Sequence, residues 1–291
     1  MGLHTKFNVV MLLTFILGMS GAGFVSHDML QRNARDEILT TAGILMESAM
    51  AVRTYTAQEI RPLLSVQLKR DFLPQTVPAY AATTNIRNLR EKYPEYTYKE
   101  ATLNPTNPAS RATDWETTII DYFRNHDEEK ELIGEHDTAT GPMLYMARPI
   151  QIKDENCLSC HGKVDDAPAT MLSRYGKANG FGWKLDDVVG AQILSVPMSI
   201  PLERAEKTFQ TFMLALAVVF IIVFIIMNML LQFIIIKPMK KISSIAHDVS
   251  LGKMDIEECD VSGKDEIAEL GDSFNRMRRS LNNALAMLEQ Q

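Results

Sequence analysis

Five consecutive residues hold the most specific chemistry in this chain: Cys157-Leu158-Ser159-Cys160-His161. Two thiols separated by two residues and followed at once by an imidazole form the C-x-x-C-H pattern of c-type haem attachment. Each S–H adds across one vinyl group of the porphyrin, and the two-residue spacer matches the separation of the two vinyls. The histidine then lies under the iron as an axial nitrogen ligand. With only three cysteines and six histidines available, the arrangement arises by chance on the order of once in a thousand such chains. A zinc site would need two further ligands, and no second C-x-x-C or H-x-x-x-H pair accompanies the motif. A thiol–disulfide motif would leave His161 without a role, and no β-α-β pattern surrounds the cysteines. One covalent haem c is therefore expected, with Cys157 and Cys160 as attachment points and His161 as proximal ligand. Cys259 has no ligand cluster near it and reads as a free thiol.

A six-coordinate iron needs a second axial ligand, and His27, His126, His136 and several methionines are available. Ile38, Ala42, Leu45, Ala49 and Val52 repeat at alternating spacings of four and three, a helical seam. Beside it Met46 and Met50 stand one turn apart on one face. They are either core packing or the source of the sixth ligand. His126 and His136 lie in the polar runs RNHDEE and GEHDT, which read as exposed loops. Met143 and Met146 flank an alternating run and are expected to be buried in a strand. Trp115, Tyr145, Arg148 and Trp183 are pocket candidates, Arg148 for a propionate, with packing or a surface ion pair as the equal alternative. A five-coordinate site open to a diatomic gas stays open as well.

The elements that position this motif follow from hydropathy. Residues 7–26 carry no charge and as a helix reach roughly 30 Å, the thickness of a hydrocarbon core. They form a span, or a signal sequence if the small residues Gly21, Ala22 and Gly23 mark a cleavage site. Residues 208–236 are again uncharged and too apolar for a soluble amphipathic helix. Lys237, Lys240 and Lys241 against Arg204 and Lys207 favour a cytoplasmic C-terminus. Two spans put both termini on one side. The predicted order is a cytoplasmic N-terminus at 1–6, a transmembrane helix at 7–26, a periplasmic haem domain at 27–207, a transmembrane helix at 208–236 and a cytoplasmic segment at 237–291. This places the motif outside the inner membrane of a bacterium, where haem c is attached. The net charge of −6 offers no basic field for nucleic acid, and 46% hydrophobic with 23% charged residues excludes a disordered or collagen-like chain.

Within the exported part, Pro62, Pro74 and Pro78 interrupt regular structure. An extended stretch at 96–103 precedes the turn-rich Asn104-Pro105-Thr106-Asn107-Pro108. Thr113 and Glu116 form a capping box opening a helix to about Asn125. Strands are predicted at 144–152 and 188–196, with the motif in the connection between them and Gly176, Gly180 and Gly182 lending that connection flexibility. Beyond Lys237, Pro238, Ile242, Ile245 and Val249 form one seam, and Ile267, Leu270, Phe274, Met277, Leu281, Ala284 and Leu288 a second. Between them lies a connector with apolar Met254, Ile256 and Val261. One chain cannot bury two such seams, so a parallel homodimer with a four-helix bundle is expected.

In the proline after the apolar helix, Asp265-Glu266-Ile267 and Phe274-Asn275-x-Met277, residues 237–290 resemble the HAMP linker, which implies relay of a conformational signal. The exported part resembles a family of c-type haem sensor domains with a PAS-like core that often precede HAMP linkers. The likeness rests on Val52-Arg53-x-Tyr55-Thr56, Arg61-Pro62, Phe72-Leu73-Pro74, Tyr98-Lys99, Leu103-Asn104-Pro105-x-Asn107-Pro108, Asp114-Trp115-Glu116, Ala147-Arg148-Pro149, the haem motif and Gly180-Phe181-Gly182-Trp183. Some relatives take the second axial ligand from a cysteine on the N-terminal helix. No cysteine stands there in this chain, which keeps Met46 and Met50 in contention. The expected fold is α+β: a PAS-like exported haem domain with a long N-terminal helix, two transmembrane helices and a cytoplasmic HAMP parallel coiled coil. The expected function is a non-enzymatic, membrane-anchored sensor of redox state or a diatomic gas. No kinase, cyclase or methyl-accepting region follows, so the signal is expected to pass to a separate cytoplasmic partner. The alternatives are an anchored c-type cytochrome exchanging electrons with a redox partner and, third, a thiol-redox protein without haem.

Overall fold

A computed structural model describes residues 2–139, 141–253, 255–259 and 263–289. The chain forms two compact units, Asp28–Lys207 and Met1–His27 with Thr208–Gln291.

The unit Asp28–Lys207 is built on a four-stranded antiparallel sheet of order β1-β4-β3-β2, with β1 at Thr97–Thr102, β2 at Leu132–Thr138, β3 at Gly141–Gln151 and β4 at Val188–Pro197. Helix α1 (Leu3–Tyr55) and α2 (Pro78–Leu89) cover one face, and α3 (Asp114–Asn125) covers the other. Because β4 is sandwiched on both sides, its sequence VVGAQILSVP is an almost continuous buried run without the alternation of a one-sided strand. On the first face Leu144, Met146, Leu194 and Val196 pack with Ile38, Ala42, Met46 and Ala49 of α1 and with Ala82 and Ile86 of α2. On the second, Ala147, Ala191 and Ile193 meet Ile119, Ile120 and Phe123 of α3. The α1 seam predicted from periodicity is thus the helix's contact with the sheet.

The predicted capping box is present at the start of α3, where the Thr113 N–H donates to Glu116 at 2.7 Å. The same carboxylate accepts from Lys99 Nζ at 2.6 Å, so its burial leaves no unpaired charge. The expectation of a loop around His136 is corrected: residues 132–138 form β2, paired with β3 in the register Gly134–Tyr145. As an edge strand it exposes every second residue, Ile133 among them, while polar His136 and Thr138 lie on its more covered side, so no clean apolar alternation marks it.

In the unit Met1–His27 with Thr208–Gln291, α1 packs along α6 (Ser199–Leu230) through Phe15 stacked on Phe220 at 5.0 Å, Gly18 against the same ring, and His27 edge-on to Phe209 at 5.3 Å. The remaining faces expose large apolar residues, Leu17 at 73% and Leu214 at 68% among them. Both helices are long and apolar enough to cross a membrane. After α6 come α7 (Lys237–Ser250) and α8 (Glu266–Glu289). Ile245, Val249 and Cys259 form a small core with Ile242, Ile256 and Phe274. The buried Asn275 amide grips the backbone of Cys259 both ways, accepting from its N–H at 3.0 Å and donating to its carbonyl at 2.9 Å. Met254, Val261 and the side chain of Leu288 lie outside the described residues.

Among the described residues two π-helical turns occur, at Thr56–Ile60 and Leu231–Ile236, each just before an X-Pro pair, Arg61-Pro62 and Lys237-Pro238. The Arg61 N–H bonds to the Thr56 carbonyl and the Lys237 N–H to the Gln232 carbonyl, both five residues back. Proline has no N–H to give and crowds the carbonyl four residues behind it, which widens the turn.

Gly190 of β4 sits where a Cβ would lie 2.3 Å from the Ala101 carbonyl oxygen of the neighbouring strand. Since backbone must move to admit it, Gly190→Ala is expected to destabilise the chain by about 1–3 kcal/mol, read as a lowered midpoint in thermal or denaturant unfolding of the detergent-solubilised protein.

Candidate haem site

The motif is a compact knot between β3 and β4. The Asp154 carboxylate accepts from the Asn156 N–H at 2.9 Å and opens a 3-10 turn over Glu155–Cys157. A single helical turn, α4 (Leu158–His161), follows and closes with the Gly162 N–H on the Leu158 carbonyl at 2.8 Å. Helical spacing sets Cys157, Cys160 and His161 on one side of this turn and Leu158 with Gly162 on another. Both cysteines are unpaired and half-buried.

His161 is held on its edge, its face and its backbone. Nδ1 lies 2.8 Å from the Gly180 carbonyl oxygen. A carbonyl only accepts, so Nδ1 carries the proton and Nε2 keeps its lone pair. Trp183 stacks on the imidazole with centroids 4.0 Å apart and planes 13° from parallel. The Gly182 N–H bonds to the Gly162 carbonyl at 2.8 Å, and the Trp183 N–H to the His161 carbonyl at 3.1 Å. Burial pushes the His161 pKa below its ordinary value, with the Gly180 carbonyl partly opposing, so the ring is neutral at pH 7. Burial, then the Asp154 carboxylate, push the Cys157 thiol up, while the guanidiniums of Arg61 and Arg53 pull it down. Arg53 is fixed by an ion pair with Glu100, which also accepts from Tyr98 Oη at 2.9 Å. Two residues along β1, on the same face, the Thr102 hydroxyl is buried with no hydrogen-bond partner among the described residues. Beside the motif a cleft of about 810 Å³ opens on the Leu158 and Gly162 side, bordered by Val164, Phe181, Trp183 and Leu185. Neither thiol lines it.

These residues fit a haem. Among the described residues no three His, Cys, Asp or Glu side chains converge on one point. Two thiols and one oriented, neutral imidazole match a cofactor that brings its own four equatorial nitrogens, whereas a zinc cage would need more from the protein.

The other sequence candidates separate. Trp183 lies on His161. Arg148 is engaged by Glu47 at 2.8 Å and Glu131 at 2.9 Å, an arrangement that ties α1 to the entrance of β2. Met46 is wholly buried in the core between α1 and the sheet, to which no motif residue contributes. Met50, one turn on, is half-buried. Met143 and Met146 are buried in β3 as expected, though not through alternation: three residues apart they face opposite sides of the sheet, and both sides are covered. His136 stacks on Trp115 at 4.3 Å with Tyr145 alongside, and His126 stacks on Tyr122 at 4.3 Å. Both groupings involve α3, and His27 packs on Phe209. Sequence reasoning missed Thr106 and Gly180, which touch His161, and gave no role to Arg53 and Arg61.

The fold and the site together define an α+β domain built around a C-x-x-C-H turn, joined to two apolar helices and a helical linker. A family profile described as Tll0287-like matches residues 31–197, more than half of the chain, and the chain belongs to that family. A HAMP domain occupies residues 233–283. Among solved structures, the chain is similar to the crystal structure of the cyanobacterial haem protein Tll0287, at 16% identity and a TM-score of 0.43, over 55% of this chain and 95% of that one. Comparison with curated proteins gives no match.

The lowered His161 pKa sets a pH dependence. Below its ordinary value of 6.5 the unfolded chain binds a proton that the folded site refuses, so stability is full above that pH and declines as pH falls toward the folded pKa. Thermal unfolding of the haem-free full-length protein between pH 7.5 and about pH 5 is expected to show this decline, and His161→Gln to flatten it.

Proposed function

We propose that the chain is a membrane-anchored c-type haem sensor that relays redox state or diatomic-gas binding to its HAMP domain, without catalysing a reaction. The observation that carries this reading is the pairing of two unpaired thiols with a neutral imidazole whose Nδ1 is already bound to Gly180, on one helical turn. Cys157 and Cys160 would hold the porphyrin through thioethers, His161 would ligate the iron through Nε2, and Trp183 would wall the proximal side. A bound haem c supplies a one-electron couple and, with a free axial position, a site for a diatomic ligand. Because Met46 is buried in the core, Met50 is the methionine of α1 that would be available to hold the iron, and without it the iron would be open to a gas. Arg53 and Arg61 place positive charge near Cys157, while Arg148 is committed to Glu47 and Glu131.

The relay runs through α1 and α6, each of which has residues in both compact units. On this reading residues 7–26 and 208–236 cross the inner membrane of a bacterium, residues 27–207 are periplasmic, and 1–6 and 237–291 are cytoplasmic. In α8, Leu270, Met277 and Leu281 stay exposed, at 43% or more, while Phe274 and Asn275 turn toward their own chain. That exposed seam supports a parallel homodimer, with a separate cytoplasmic protein receiving the signal. A second reading, electron exchange with a soluble partner, is favoured by Trp183, which both lines the cleft and stacks on His161.

Intact-mass measurement of protein from membranes is expected to show one covalent haem, lost in Cys157→Ser/Cys160→Ser. Met46→Leu should leave the absorption spectrum unchanged and cost under about 1.5 kcal/mol of stability, whereas Met50→Ala should open the ferrous iron to carbon monoxide. Cross-linking between engineered cysteines along α8 should differ between oxidised and reduced membranes. Identical patterns in both states, and with gases, would favour the electron-transfer reading.

A further inference from the structure

The loop residues against the motif have a feature that the attachment chemistry does not demand. Gly180 is buried and lies at φ +85°, a left-handed conformation that costs an L side chain roughly 1–2 kcal/mol. A Cβ there would fall 2.0 Å from Thr106 Oγ1 and 2.9 Å from both Cβ and Cα of Thr106. Thr106 cannot easily withdraw, since the turn that carries it is fixed by Asn107, whose side chain accepts from the Ala109 N–H at 3.1 Å and whose carbonyl accepts from the Ser110 N–H at 2.9 Å. Residue 180 is therefore excluded from bearing a side chain twice, by backbone and by space. Its carbonyl is the group that binds His161 Nδ1, and Thr106 Oγ1 stands 3.5 Å from the same nitrogen, at the outer limit of a hydrogen bond.

We propose that Thr106 and Gly180 form a positioning clamp for the His161 imidazole, and that the clamp sets the donor strength of the proximal ligand. The inference rests on the haem reading above. The carbonyl fixes the Nδ1–H tautomer and, by drawing on that proton, enriches the ring, making Nε2 a stronger donor to iron. A stronger donor favours the ferric state and lowers the reduction potential. Thr106 acts through Gly180. It occupies the space that any larger residue would need, and so keeps the peptide turned with its oxygen toward Nδ1. Trp183 confines the face of the same ring, leaving the edge contact as the adjustable one.

Redox titration of the full-length, haem-loaded protein in detergent tests this, with covalent haem measured by intact mass in every sample. Gly180→Ala is expected to raise the midpoint potential at unchanged haem content. Thr106→Gly alone should raise it by less than Gly180→Ala does, since the carbonyl loses its backing but residue 180 gains no side chain, and Thr106→Gly/Gly180→Ala should return part of the way from the Gly180→Ala value toward wild type, because the Oγ1 and Cβ collisions are gone. A haem-loaded Gly180→Ala with the wild-type potential overturns the clamp. So does a double variant no closer to wild type than the single one, or loss of folding in both, since collision with Thr106 would then not be the cause. If wild type carries no haem, the haem reading fails on its own. In that case ¹⁵N NMR of His161 in haem-free protein still decides: a proton on Nδ1 in wild type that shifts to Nε2 in Gly180→Ala upholds the clamp, and no difference overturns it.

Discussion

One side of α1 must leave water, and the surface it meets is the sheet face of Leu144, Met146, Leu194 and Val196. Ile38 and Met46 are large enough to contribute about 1.5–3 kcal/mol each when buried, while Ala42 and Ala49 let the helix approach closely. That packing fixes the rotation and height of α1 along the sheet, and the polar contacts follow from it. Glu47 reaches Arg148 as a consequence, in a pair too exposed to be worth more than about 1 kcal/mol. Arg53 arrives opposite Glu100, whose carboxylate is buried and would be costly to leave unpaired. The apolar seam selects the position, and the buried ion pair penalises any other.

The motif turn could not hold its own geometry. A four-residue helix fixes several dihedrals for a single closing hydrogen bond and is unstable alone. What orders it comes from elsewhere in the chain: the loop after α5 (Ala169–Tyr175), through Gly180, Gly182 and Trp183, and the turn at 104–108, through Thr106. Each contact is modest, roughly 0.5–1.5 kcal/mol for a hydrogen bond or a ring stack. Together they restrain one ring in orientation and protonation, as a ligand to a metal requires. The orphaned Thr102 hydroxyl is the unbalanced polar group of this region, on the face of β1 that also carries Glu100.

Legibility in the sequence followed locality. The C-x-x-C-H turn, the capping box at Thr113 and Glu116, the α1 seam and strands β3 and β4 are all encoded within a few residues or one periodic face, and all are present. β2 was hidden because polar residues stand on both sides of this edge strand, and His136 was misplaced with it. The alternatives for Met46 and Arg148 were undecidable because a helical or strand period tells which residues share a face, not what the face meets. Gly180 could be read only as flexibility. Its close packing against Thr106 involves a residue more than seventy positions away, beyond the reach of any local pattern.

The two π-turns show the same limit from the opposite direction. Proline is the most conspicuous residue at both sites, and by itself predicts a break. Neither helical path breaks: the last N–H before the ring reaches five residues back, and the chain continues into Arg61–Leu63 in one case and α7 in the other. A turn that takes in one extra residue shifts the side-chain phase by about 100°. Ile242, Ile245 and Val249 therefore cannot be projected onto the faces of α6 by ideal α-helical counting through Pro238, and the seam of the HAMP helix is offset by a fixed angle from the apolar helix before it. The wide turn lets a uniformly apolar helix, with no preferred face, feed one whose faces must differ. For a linker that has to present Ile245 and Val249 to its own core, that phase adjustment is a structural requirement.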